Sequence, residues 1–169
     1  MPERGLRGRA SAKWFALAAV VIALDLATKY AVLQTLAYGE RVPVTGFFNL
    51  VLVFNKGAAF SFLAGAAGWQ TTFFALVATV ASLVIGGLLL RQPDKRLFCT
   101  GLALILGGAL GNLHDRIVYG HVVDFLDFHA AGWHWPAFNV ADSCITVGAG
   151  LLILESFLVR EAPSDAGRA

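Results

Sequence analysis

The sequence reads as an all-α membrane protein: four transmembrane helices with a small extracytoplasmic β-sheet between helices 1 and 2. Three observations lead there. Only 14% of the 169 residues are charged, against roughly 25% in soluble domains. The hydrophobic share is 57%, or about two-thirds once the 18 Gly are added and the 3 Tyr removed, against about 45–50% for an ordinary globular chain. Mean hydropathy is +0.69. A small soluble domain cannot hide so much apolar surface, so a soluble enzyme, a disordered tail and a nucleic-acid module are excluded. Second, four stretches are apolar enough to cross a hydrocarbon layer about 30 Å thick, which takes about 20 helical residues. Third, the cations are segregated. Nine of the 13 Lys and Arg fall on the N-terminal tail, the Arg91–Arg96 turn and the C-terminal tail, whereas the intervening outer segments hold only Arg41 and Lys56. The positive-inside rule then places both termini in the cytoplasm. The chain is expected to form one integral membrane domain, residues 1–169.

Span 1 runs from Trp14 to Leu33, interrupted by Asp25 and Lys29. A basic tail before Trp14–Leu24 resembles a signal peptide, but Lys29 sits where a small-residue cleavage site belongs, and an uncleaved anchor fits better. Asp25 and Lys29 stand at i, i+4 and share a helix face, so an internal ion pair orienting the helix is the favoured reading. The outer loop 34–68 follows. Within it Val42–Phe54 is β-branched and aromatic, and reads as a strand with Pro43 suggesting an edge. Both of its faces are apolar, which points to a sheet on or partly in the outer leaflet. Span 2, Trp69–Leu90, is uncharged, and Arg91–Arg96 is a short basic turn.

Span 3, Leu97–Arg116, ends in GGALGNLHDR. Gly107 and Gly111 let another helix approach closely. Asn112, Asp115 and Arg116 share a face at the outer end, where Arg116 can clamp a carboxylate or a backbone carbonyl. The outer loop 117–138 carries Asp124 within GHVVDF. Span 4, Asn139–Val159, carries Asp142 near its start and Glu155 near its end. Asn139 suits an N-cap, with an acidic residue in the first turn. Trp14, Trp69, Trp133 and Trp135 fall at or beside span ends, as an aromatic belt requires. The tails Met1–Ala12 and Arg160–Ala169 read as disordered.

Taken singly, Asp124 reads as a loop carboxylate and Asp142 as a helix-dipole partner. Together they lie at one membrane face on segments flanking a short connection. Two such carboxylates can share a proton, one acting as base and the other as acid. No Ser-His-Asp order, GxSxG, HExxH or phosphate loop competes. His114, His121, His129 and His134 lack ligand spacing. Cys99 and Cys144 form no zinc signature and no disulfide framework, and neither sits in a lipoprotein-precursor pattern.

In order, DLATK (25–29), NKGAAF (55–60), GGALGNLHDR (107–116), VVDF (122–125) and FNVADS (138–143) resemble the five motifs of the bacterial lipoprotein signal peptidases, signal peptidase II. One departure is Leu26, where that family usually has Gln. The resemblance implies a membrane-embedded aspartyl endopeptidase that removes the signal peptide from diacylglyceryl-modified prolipoproteins, cutting just before the lipidated cysteine. It implies Asp124 and Asp142 as the catalytic pair. Asn55, Gly57, Asn112, Arg116 and Asn139 would bind substrate, and Asp25, Lys29 and Asp115 would give structural support. No metal or organic cofactor is expected. The expected partners are prolipoprotein substrates carrying diacylglyceryl-cysteine and membrane lipid, not nucleic acid, with the chain acting as a monomer. The expected location is the bacterial cytoplasmic (inner) membrane, multi-pass, with the active site near the extracytoplasmic face. Two other classes remain open on the residues alone. A small proton-coupled transporter would also put Asp25, Asp115 and Asp142 in spans, but Leu97–Gly111 and Ile145–Leu154 offer it almost no polar path. A metal-dependent membrane hydrolase would draw on the His and Asp of residues 114–134.

Overall fold

The computed structural model describes residues 2–57 and 69–160. Its elements, in chain order, are α1 (Pro2–Thr35), β1 (Arg41–Thr45), β2 (Phe48–Asn55), α2 (Trp69–Arg91), α3 (Arg96–Val118), β3 (Val122–Ala130), β4 (Trp133–His134) and α4 (Val140–Arg160). All four helices contain a segment long and apolar enough to cross a membrane. A helix satisfies its own backbone groups, which lipid cannot do.

The four expected spans are therefore present, with ends shifted by a few residues. Helix α1 is the exception, because it starts at Pro2 rather than near Trp14. The expected disorder of Met1–Ala12 is corrected on that point. Pro fits the first helical position. Extending a helix already formed also avoids the cost of a new nucleus. The C-terminal tail beyond Arg160 lies outside the described residues, as does the second half of NKGAAF, residues 58–60.

Helix α3 is central. More than half of its apolar window is buried inside the protein, against about a tenth for α2 and α4. Glycines set its approach to α1. A Cβ on Gly107 would stand 2.6 Å from Val21 Cβ, and one on Gly111 would stand 2.5 Å from Asp25 Oδ2. The small-residue pattern read from the sequence is thus the α1–α3 contact. Trp14, Ala18, Leu89, Cys99, Leu102 and Leu106 belong to one buried cluster between α1, α2 and α3. Trp14 is corrected from a belt position to a core one. It is buried, and its indole N–H donates to the Pro93 carbonyl at 2.9 Å. Trp69, Trp133 and Trp135 are exposed.

The strand expected over Val42–Phe54 is two strands. Gly46 and Phe47 turn the chain, and β1 pairs antiparallel with β2, with Arg41 opposite Val51. Loop 117–138 then adds two more strands, giving the antiparallel order β1-β2-β3-β4. Strands β2 and β3 pair Asn49 with Asp127 and Val53 with Asp124, with a register shift between Leu50 and Val53. Val32 of α1 packs with Leu52, Val123 and Phe125. That second small core seats the sheet on the end of α1 and so fixes β3 relative to the helices.

Candidate active site

Lys29 is the organising cation. Its ammonium lies 2.7 Å from Asp25 Oδ2, 2.8 Å from Asp115 Oδ2 and 2.9 Å from Asn112 Oδ1. An ammonium has three N–H donors, so all three are used. Lys29, Asp25 and Asp115 are all almost fully buried. The two carboxylates carry the contact outward to other elements. Asp25 Oδ1 accepts the Ala141 N–H at 2.9 Å, and Asp115 Oδ2 accepts the Val123 N–H at 3.1 Å. One buried cluster thus pins α1 and α3 to the start of α4 and the start of β3, the two segments that bear Asp142 and Asp124.

Asn112 and Asn139 join this cluster to those aspartates. With Lys29 donating to its oxygen, the Asn112 amide has a fixed orientation, and its Nδ2 donates to Asp142 Oδ1 at 2.8 Å. Asn139 Nδ2 donates to Asp124 Oδ1 at 2.8 Å and to Asn112 Oδ1 at 3.1 Å. Asn139 also caps α4. Its Oδ1 accepts the Asp142 N–H at 2.9 Å, while Asp142 Oδ2 accepts the Asn139 N–H at 3.3 Å. This is the reciprocal arrangement of a capping box. The cap expected of Asn139 is therefore present, and it aims Asp142 rather than only neutralising a dipole.

Asn55, at the end of β2, donates to Asp124 Oδ2 at 3.1 Å and accepts the Gly57 N–H at 2.9 Å. Arg116 donates to two backbone carbonyls, Asn112 and Gly57, each at 3.2 Å. Of the two clamps the sequence allows, it makes the carbonyl one. All ten residues singled out in the sequence therefore belong to one connected region. Among the described residues, no cation forms an ion pair with Asp124 or Asp142.

Burial, and secondarily the negative charge of Asp142, push the Asp124 carboxyl up to about 7 against the amide donors Asn55 and Asn139 and the positive charge of Lys29. A carboxyl titrating there can give or take a proton near neutral pH. Asp142 lines a cavity of about 510 Å³ with Asn55, Asn112, Arg116 and the segment Trp135–Phe138. Asp124 lines a separate cavity of about 250 Å³ that shares Asn55 and Trp135–Ala137 with the first.

The sequence reading missed one polar group. Asp127 is almost fully buried on β3. It accepts from Asn49 Nδ2 at 2.8 Å, lies 2.8 Å from His134 Nδ1 and meets Arg41 Nε at 3.2 Å. Burial raises its carboxyl, but these partners outweigh burial and hold it below the ordinary carboxylate range. No spacing joins Asn49, Asp127 and His134. Only the strand register brings them together.

Residues 17–158 match the family model described as signal peptidase (SPase) II. A lipoprotein signal peptidase of Ralstonia nicotianae is 60% identical over 88% of this chain and 86% of its own length. Another, of Paraburkholderia phytofirmans, is 57% identical over 91% and 90%. Two solved structures described as bacterial membrane enzymes superpose on the fold. One has a TM-score of 0.81 at 28% identity, covering 94% of this chain and 95% of its own. The other has 0.76 at 30%, covering 86% and 92%. These matches favour a protease over the transporter and metal-hydrolase readings: the chain belongs to the signal peptidase II family.

Proposed function

We propose that Asp124 and Asp142 are the catalytic pair of this aspartic-type lipoprotein signal peptidase. Its substrates are prolipoproteins whose cysteine carries diacylglycerol, and the cut falls just before that cysteine. Asp142 takes a proton from the attacking water, and Asp124 gives its proton toward the scissile carbonyl. Collapse of the tetrahedral species then hands a proton to the leaving amine. Asn55, Gly57, Asn112, Arg116 and Asn139 hold the substrate backbone around the larger cavity. Asp25, Lys29 and Asp115 brace the elements that carry the pair.

The observation that supports this assignment most is electrostatic. Three buried carboxylates, Asp25, Asp115 and Asp124, cluster with the half-buried Asp142 at this end of the helices, and the one buried ammonium among the described residues is bonded to Asp25 and Asp115. Asp124 and Asp142 are left with neutral amide donors. Two carboxylates with no ion-pair partner of their own can share a proton instead.

The charge bias of the sequence supports cytoplasmic termini and a site near the extracytoplasmic face of the inner membrane. The exposed aromatics Phe47, Phe128 and Trp133 on the sheet suit contact with lipid of the outer leaflet. The chain acts as a monomer in this reading. The test is cleavage of a diacylglyceryl prolipoprotein by purified protein in detergent. Asp124→Asn and Asp142→Asn should each abolish product without loss of folding. The double variant should be scarcely worse, since residues acting as a unit lose function together. Near-normal turnover by either single variant would overturn the pair.

A further inference from the structure

The two aspartates open on different cavities, and the smaller one has a built polar wall. Asp124 shares it with Arg41, Asn55, Asp127 and His134. Its volume of about 250 Å³ matches the share of roughly eight liquid waters, and its walls offer the polar partners that bound water needs. A lipidated substrate filling the larger cavity covers Asp142 and seals that side from bulk water. Asp124 would then keep one polar exit, through the smaller cavity.

His134 stands on that exit. Its side chain is 36% exposed, whereas the Asp127 carboxylate against its Nδ1 is 4% exposed. Asn49 and Arg41 fix Asp127 from β2 and β1, and the His129 ring stacks on His134 with centroids 5.0 Å apart. Among the described residues, the charged and titratable groups around His134 are Asp127 and His129 of β3, Arg41 of β1 by way of Asp127, and Asp124 across the cavity. With Nδ1 bound to Asp127, the other ring nitrogen, Nε2, is the one left to exchange protons.

We infer that the smaller cavity is a water and proton port for Asp124, and that His134, oriented by Asp127, is the positioning residue that controls it. In the exchange step the Nε2–H bond of an imidazolium breaks. The proton passes along water to the Asp124 carboxylate, and neutral imidazole and carboxylic acid remain. The reverse step discharges the proton to bulk. The inference rests on Asp124 being one of the catalytic pair.

The test uses the full chain in detergent with a diacylglyceryl prolipoprotein as substrate. His134→Ala should lower kcat about tenfold, less than the loss of a direct acid–base group, with KM unchanged. Added imidazole should restore the rate in proportion to its concentration. His134→Gln keeps a hydrogen bond to Asp127 but cannot relay a proton, so it should stay slow with an unchanged melting temperature. Should the alanine variant not fold, the glutamine variant decides alone. Wild-type kcat in His134→Gln overturns the port, as does an alanine variant that is slow but deaf to imidazole, or one altered only in KM. Asp124→Asn run alongside separates the two claims: activity there defeats the pair itself, whereas its loss beside a normal His134→Gln defeats only the port.

Discussion

Replacing Lys29 by Met is expected to destabilise the protein far more than a single lost hydrogen bond would. The ammonium makes three contacts of 2.7–2.9 Å inside the protein. Met fills nearly the same volume and suits a helix, so the change is almost purely one of charge. It leaves Asp25 and Asp115 buried without the ammonium, each keeping one backbone N–H, from Ala141 and Val123 respectively, and Asp115 also keeping His114 Nδ1 at 3.3 Å. Breaking a buried pair by removing one partner costs about 3–5 kcal/mol. For a chain of this size that is a fall of roughly 6–20 °C in melting temperature. The loss should be insensitive to added salt, because buried pairs are poorly screened. The assay is thermal unfolding in detergent, with cleavage followed in parallel. Activity should fall too, since Asn112 loses one of the two donors, Lys29 and Asn139, that orient its amide toward Asp142. The triple variant Lys29→Met, Asp25→Asn, Asp115→Asn should regain most of the stability, because a buried ion cluster replaced by neutral groups of like shape is often near neutral. A Lys29→Met protein that melts with the wild type would show that the cluster does not hold the helices, and a triple variant no better than the single would show that unpaired charge is not the cause.

The Asp124 carboxyl, pushed up to about 7 by burial, must be protonated to act as acid, so kcat/KM should decline as pH rises through about 7; a flat profile from pH 6 to 8 would contradict that role. Because this folded value lies above the ordinary one of 3.8, the carboxyl's contribution to stability is fully present below the ordinary value and is lost as pH rises through the raised one. Asp124→Asn should therefore gain melting temperature relative to wild type between pH 5 and pH 8, and a pH-independent difference would speak against it. Gly111→Ala would place a Cβ 2.5 Å from Asp25 Oδ2, and overpacking of this kind costs about 1–3 kcal/mol. Gly87→Ala, with no heavy atom within 4 Å of its Cβ, should be neutral or better, and equal melting of the two variants would deny the close approach of α3 to α1. For orientation, Tyr119→Cys in a background lacking Cys99 and Cys144 should react with an impermeant thiol reagent added outside intact cells stripped to the inner membrane. Labelling only after lysis would reverse the topology.

What the sequence made legible was whatever is carried by local spacing. Asp25 and Lys29 sit one helical turn apart, and their pairing needs nothing beyond helix geometry. Gly107 and Gly111 mark the crossing with α1 for the same reason, and Asn139 with Asp142 is a cap read from three residues of separation. What stayed hidden depends on strand register between distant segments. Asn49 meets Asp127 only because β2 pairs with β3, and His134 reaches Asp127 only because β4 folds back on it. Period-two patterns give no hint of which strand is the neighbour. The turn at Gly46–Phe47 was obscured by the apolar run on both sides of it. Trp14 shows the same limit from the helix side. An aromatic at a span end fits a belt, and the carbonyl of Pro93 that draws it inward lies on a different connection.

The division among the four carboxylates explains why so much polar material is tolerated beside a membrane. Asp25 and Asp115 share the single charge of Lys29, and each also accepts a backbone N–H, from α4 and β3 respectively. These contacts tie α1 and α3 to α4 and β3. Asp124 and Asp142 receive hydrogen bonds only from amides and from the capping N–H among the contacts described above, so their ionisation is left adjustable. The link between the pairs is Asn112, whose oxygen faces the ammonium and whose nitrogen faces Asp142. Exchanging Asn112 for Asp would put another carboxylate within reach of Lys29 and remove the donor to Asp142. Both pairs would then lose their distinct characters at once. An amide at that position therefore joins the ion-paired scaffold to the proposed catalytic pair without placing a further charge between them.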